Sequence, residues 1–187
     1  MVLSQIPSIS DAFKTVVAAT EAAIIANTTL NWGTLPKKVF FMHGHPKEIV
    51  NVLQAYTNSP EMKHKKYPLV ALFRDIREDI ELQRFGLAPS FKCRFVICTL
   101  TSPTLRADDR EIQNFKPILI PIFEEIIKQI SKSKLFGMPR VKDMKIVKFD
   151  RYFWGSEQVE KNILNDYIDA VEVESITLSL KNICKKN

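Results

Sequence analysis

Two prolines four residues apart inside a helical pattern constrain this chain more than any other feature. The stretch 91–130, FKCRFVICTLTSPTLRADDREIQNFKPILIPIFEEIIKQI, begins as a strand-like run, turns at Thr101, Ser102 and Pro103, and continues as a long amphipathic segment. At about 100° per residue, Ile112, Phe115, Leu119, Ile122, Phe123, Ile126 and Ile130 share one apolar face. Pro117 and Pro121 then fall on the opposite side, among Gln113, Asn114, Glu124, Glu125 and Lys128. A helical proline removes one backbone bond and presses its ring on the carbonyl four residues back. On a wet face water satisfies the freed carbonyls, and a kink there curves a helix around a core. The segment therefore reads as a bent cover helix on a sheet.

The rest of the chain agrees with one domain spanning residues 1–187. Hydrophobic residues make up 45% of it and charged residues 26%, enough to build a core and too apolar for disorder. Cys93, Cys98 and Cys184 are an odd set without metal-ligand spacing, so they read as reduced thiols of a cytosolic setting. Cys93 and Cys98 sit five apart in one strand and face opposite sides, which prevents a bridge between them. The first apolar segment, 12–26, is interrupted by Lys14 and Glu21 and is too short to span a membrane. No basic region precedes it as a signal peptide needs, so a soluble, non-exported chain is expected.

Charge is unevenly spread. Between 128 and 151 lie eight bases (Lys128, Lys132, Lys134, Arg140, Lys142, Lys145, Lys148 and Arg151) and two acids (Asp143 and Asp150), so this segment alone accounts for the net charge of +6. Segment 166–174 is the reverse, with Asp166, Asp169, Glu172 and Glu174 and no base before Lys181. Such blocks steer a complementary partner or a polyanion, although a solvated lysine-rich loop explains any single lysine as well.

Ser8 followed by Asp11 resembles a capping box for an N-terminal helix over 8–27. Its inner face is Phe13, Val16, Val17, Thr20 and Ile24; its reverse side, Ala18, Ala22, Ile25 and Ala26, is also apolar, so both sides call for cover. Residues 39–42 read as a short strand, and His43-Gly44-His45-Pro46 turns it into a helix with Pro46 at its first position, held to the core by Ile49, Leu53 and Tyr56. The apolar run 67–73 reads as a strand covered on both faces, with Pro68 at its start and 91–101 as its partner. In 167–180 the apolar phase slips by one near Ser175, which predicts a bulge. The region 132–160 reads as an irregular basic and aromatic arm. This order predicts an α/β (α+β) domain: one mixed β-sheet packed with helices, including the long proline-kinked one.

Chemical motifs are sparse. His43 and His45 share a strand face and form half of a metal site, yet His45 before Pro46 also fits a helix start. Cys98 beside His43, His45 or His64 would make a thiol nucleophile, whereas its valine- and isoleucine-rich surroundings favour a small core side chain. Asp108, Asp109 and Glu111 suit the positive end of a helix better than a magnesium site. No phosphate loop, dinucleotide fingerprint, nucleophile elbow or zinc-protease motif occurs. No catalytic, metal-binding or cofactor-binding residue is assigned. Tyr152, Phe153 and Trp154 are the outlier, because three successive aromatics cannot all point inward from one strand. With the lysines before them they suit base stacking, docking on a partner protein, or a loop folded back on its own core.

Five segments, VFFMHGHPKEIVNVL, KYPLVALFRDIREDIE, FVICTLTSPTLRADDREIQNFKPILIPIFEEIIKQI, FDRYFWG and NDYIDAVEVESITLSL, together resemble tail-completion or tail-terminator-like neck proteins of tailed bacteriophages. The resemblance is particularly to a form seen in phages of gut Bacteroidota, including crAss-like phages, and it spans residues 39–180. The resemblance implies a small α/β subunit of a virion ring, hexameric or twelvefold, assembled in the host cytoplasm. Such a ring joins portal and head to tail and lets DNA pass through its channel without specific binding. It implies no enzyme activity, cofactor or membrane. Within such a ring, Lys142, Lys145, Lys148, Arg151, Tyr152, Phe153 and Trp154 are the expected contacts to a neighbouring subunit, the portal or an adjacent ring. Asp166, Asp169, Glu172 and Glu174 are the expected channel lining or the acidic side of a subunit contact. A basic nucleic-acid-binding protein is the alternative, with Lys142, Lys145, Lys148 and Arg151 on phosphates and Tyr152 or Trp154 on bases.

Overall fold

The computed structural model describes residues 8–33, 36–59, 61–62, 65–83, 86–137, 146–154 and 166–180, with the backbone alone at 75, 77–83, 86–89 and 180. Its centre is a mixed sheet. Strand β1 (Phe40–Gly44) runs parallel to β2 (Leu69–Gln83), which pairs antiparallel with β3 (Gly86–Leu100). Next to β3 lies β6 (Ile168–Leu180), also antiparallel. The outer edge of β6 carries β4 (Phe136–Gly137) and β5 (Ile146–Arg151) in series. A parallel pair needs a crossover, and α2 (Pro46–Thr57) supplies it between β1 and β2.

Alternation along the strands divides the interior in two. Val70, Leu72, Phe95, Ile97, Val171 and Val173 face α1 (Ile9–Ala26) and the long helix. Leu69, Ala71, Phe73, Val96, Cys98 and Ala170 face the side of α2. Cys93 belongs to the first layer and Cys98 to the second, as their odd spacing requires. The bulge expected near Ser175 is present: Val147 and Lys148 are opposed to Ser175 and Val173, which leaves Glu174 as the extra residue. Beyond it Ile176 and Leu178 return to the face of Val173.

The helices start where the sequence has caps. Ser8 accepts the Asp11 N–H at 3.2 Å and buries Phe13, Val16, Val17, Thr20 and Ile24 beneath α1, while Ala18, Ala22, Ile25 and Ala26 are exposed in the single chain. At α2, His45 Nδ1 accepts the Lys47 N–H at 3.2 Å and Glu48 accepts the His45 N–H at 2.9 Å, with Pro46 in the first turn. Gly44 makes that closure possible: it sits at φ +153°, and a Cβ there would lie 2.9 Å from Glu48 Oε2.

The long helix runs through residues 107–132 as α3 (Ala107–Arg110), a π-helical stretch (Glu111–Leu119) and α4 (Ile120–Lys132). The carbonyls that the two proline rings would strike, those of Gln113 and Pro117, both lie in the widened stretch, which gives the rings room. The same widening corrects the helical phase predicted from 100° per residue. Phe115, Leu119, Ile122, Ile126 and Ile130 are buried as expected, but Ile112 is 65% exposed and Asn114, placed on the wet face, is buried. An i→i+5 turn advances less per residue, so the face assignment fails upstream of Phe115. Pro117 and Pro121 are half-buried.

The arm 132–160 needs a second correction. Residues 146–151 form the edge strand β5, because β6 has a free side that pairs with any extended neighbour; 138–145 and 155–160 lie outside the described residues. No helix among the described residues is long and apolar enough to cross a membrane. A Gly44→Ala substitution should cost about 1–3 kcal/mol through the positive φ and the contact with Glu48. Urea denaturation should show it as a lowered midpoint, and an unchanged midpoint would remove this role for Gly44.

Candidate functional site

The residues singled out in the sequence converge on the C-terminal end of β3 and the N-terminal half of β6, but in a different relation from the one expected. Asp169 and Glu172 are three apart on one strand, so they point to opposite faces. Asp169 faces the long helix and is fully buried. It accepts Arg110 Nη1 at 2.7 Å, Asn114 Nδ2 at 2.8 Å and the Phe153 N–H at 3.4 Å. Arg110 is itself buried and donates further to Thr101 Oγ1, to the Ser102 carbonyl and to the Leu105 carbonyl at 2.9–3.1 Å. Its guanidinium lies 3.7 Å from the centre of the Phe153 ring. Every donor of this buried cation therefore has an acceptor or a ring face, as a charge out of water requires.

On the opposite face Glu172 accepts Arg94 Nη2 at 2.9 Å and Arg151 Nε. Burial by itself would raise this carboxyl, but the hydrogen bonds and charges of Arg94 and Arg151 outweigh it and hold the group below its ordinary value. Asp166, just before β6, accepts buried Lys66 Nζ and, at 3.3 Å, the Tyr67 hydroxyl. Burial foremost, then the neighbouring Cys98 and Asp166, pushes that hydroxyl far up, so it stays a donor.

Three of the four acids expected to line a channel or meet another subunit thus hold cations of their own chain, and Glu174 at the bulge is the exposed one. Among the expected bases, Arg151 holds Glu172 and Lys148 pairs with Asp150 at 2.7 Å, with its ammonium 5.5 Å from the Phe123 ring. Lys142 and Lys145 lie outside the described residues.

The aromatic trio takes three directions, which satisfies the rule that neighbours cannot share a face. Tyr152 stands edge-on to Phe115 at 5.4 Å and donates to Glu111 at 3.2 Å. Phe153 turns at φ +51°, covers Arg110 and meets Tyr167 edge-on at 5.8 Å. Trp154 crosses to the other layer and stacks on Phe73 at 6.4 Å, while its backbone N–H donates to the Ile168 carbonyl at 2.9 Å. Of the three readings open in the sequence, the described geometry is that of a turn folded back on its own core.

The chemical candidates resolve similarly. His45 spends Nδ1 on a helix cap, while His43 is exposed on β1 with its ring 5.9 Å from that of Phe41. Burial pushes the Cys98 thiol up to about 12, which keeps it protonated and non-nucleophilic at neutral pH. Asp108 and Asp109 sit in the first turn of α3. Among the described residues no three of His, Cys, Asp and Glu come together. Sequence reasoning missed Arg110 and Asn114 as site residues; their only signal was a base and an amide three and seven residues beyond the start of a helix that ought to be amphipathic.

Replacing Arg110 by Leu leaves a buried carboxylate without its cation and should cost about 3–5 kcal/mol, much of it recovered when Asp169 is also replaced by Leu. Equal losses in the single and double variants, measured by urea denaturation, would exclude this coupling. Because the folded Glu172 titrates below its unfolded value, its stabilisation is complete above the ordinary carboxylate value and drains away as pH falls through the lowered one. Glu172→Gln should flatten the acid limb of the stability profile, an effect limited to about 1 kcal/mol by the half-exposed arginines. In comparisons with known proteins, no family model and no curated protein sequence matches this chain.

Proposed function

We propose that this chain is a structural subunit of a ring in the neck or tail of a tailed bacteriophage, standing between portal and tail around the DNA channel. The likeness of five segments to neck proteins suggests the assembly, and one observation carries the reading further. The β2–β3 hairpin outruns the sheet. Ser90 is the last residue of β3 opposed to β6, at Ser179, and positions 80–83 and 86–89 pair only with each other among the described residues. A two-stranded ribbon that pairs with no other described strand is a means of reaching the next subunit, and a ring needs contacts between unlike patches of that kind.

The nucleic-acid-binding alternative loses support at the same residues that first suggested it. Arg151 is tied to Glu172 and Lys148 to Asp150, and the Trp154 ring stacks on Phe73 rather than facing outward. A ring subunit serves a channel through which DNA must slide, and strong phosphate contacts would hinder that.

Electron microscopy of purified protein, alone and mixed with a portal ring, should show closed rings with a central opening wide enough for duplex DNA. Particles that stay monomeric in both samples would end this reading. Fluorescence anisotropy with labelled duplex should show weak binding with a shallow salt dependence. Tight binding that collapses between low and physiological salt would instead favour the phosphate-binding alternative.

A further inference from the structure

The two edges of the sheet are guarded unequally. The β4–β5 edge carries Lys148, Asp150 and Arg151, the charges by which exposed strands discourage pairing. The β1 edge, Phe-Phe-Met-His-Gly, has no charge and no proline within the strand. Phe40 donates its N–H to Pro68, and the parallel register continues from there, so Phe40, Met42 and Gly44 turn their peptide groups to β2. Phe41 and His43 turn theirs outward, where no described strand meets them. A groove of about 390 Å³ follows this edge. Four successive residues of β1 line it, so it follows the strand's rim rather than one face, and its far wall is Ile49, Val52 and Tyr56 of α2. Val52 is 40% exposed there. Exposed Lys65 lines the groove, and the ammonium of exposed Lys38 lies 5.3 Å from the ring of Phe40, another lining residue; Glu48, also in the lining, is committed to the helix cap.

One segment of the same chain has the complementary properties. Among the described residues, positions 78–83 of β2 pair with β3 on one side only, because β1 stops opposite Phe73. Their sequence, EDIELQ, has three acids, no base, and apolar Ile80 and Leu82. The register break between Phe73 and Arg77 separates this ribbon from the body of the sheet.

We propose that the free edge of residues 78–83 in one copy adds as a strand to the β1 edge of the next copy, along the rim of the β1–α2 groove. The inference rests on the ring reading and names its contact. Charge selects this pairing over the symmetric ones. Two ribbons would bring acids together and two β1 edges would bring lysines together, while the unlike pair joins them. The contact is therefore head-to-tail, the kind that propagates around an axis.

The test uses the full chain and three variants, with native mass spectrometry and light scattering for assembly and thermal melting as a folding control. His43→Pro removes an outward donor without touching the β1–β2 ladder and should shift the assembly midpoint to at least about tenfold higher concentration. Lys38→Glu with Lys65→Glu, and separately Glu78→Lys with Asp79→Lys and Glu81→Lys, should each do the same. Combining the two charge sets should restore assembly. Zero-length carbodiimide coupling should link Lys38 or Lys65 of one copy to residues 78–81 of another. Rings that all variants leave intact, with cross-links elsewhere, would overturn this contact while leaving the ring reading in place. A wild-type chain that remains monomeric at every concentration would overturn the contact, and the ring reading falls with it only if the images with portal are also monomeric.

Discussion

The buried pair of Arg110 and Asp169 is the constraint on which the upper half of the molecule depends. Neither charge reaches water, so each must be neutralised by the other and by oriented dipoles. Meeting that demand fixes four separate pieces of chain at once. The start of the long helix supplies Arg110 and Asn114, and β6 supplies Asp169. The turn after β3 supplies the Thr101 hydroxyl and the Ser102 carbonyl, and the turn after β5 supplies the Phe153 N–H and ring. An apolar core of the same volume would leave these pieces free to slide. A fully bonded polar one admits a single arrangement.

That arrangement also explains why three acids of the block 166–174 do not form a charged surface. Strand alternation sends Asp169 under the helix and Glu172 to the opposite layer, and each finds an arginine from an element distant in sequence. What remains for a neighbour is a ribbon that overshoots the sheet, an unguarded β1 edge and the exposed lysines beside it.

Much of the architecture was legible because it rests on local rules. The caps at Ser8 and His45, the buried face of α1, the opposed Cys93 and Cys98, and the slip at Ser175 follow from spacing alone. Two readings went astray where a non-local term intervened, and a third such term set the partners of three acids. The π stretch shifted the phase, so Ile112 turned outward and Asn114 inward. Residues 146–151 became a strand because β6 offered an unpaired edge. Asp166, Asp169 and Glu172 became internal counter-ions because Lys66, Arg110, Arg94 and Arg151 were brought to them. The odd spacing of Asp169 and Glu172 was already enough to place them on opposite faces of a strand.

The sequence by itself determined the mixed sheet with helices on it, the positions of the turns and which side chains are apolar enough to bury. Those properties depend on periodicity and on residues within a few positions of one another. Tertiary structure decided which charges are spent inside the subunit, where each aromatic of 152–154 goes, and which strand edges stay open. Each of these is a competition among partners distant along the chain, and its outcome is set by which groups the folded backbone holds within hydrogen-bonding reach.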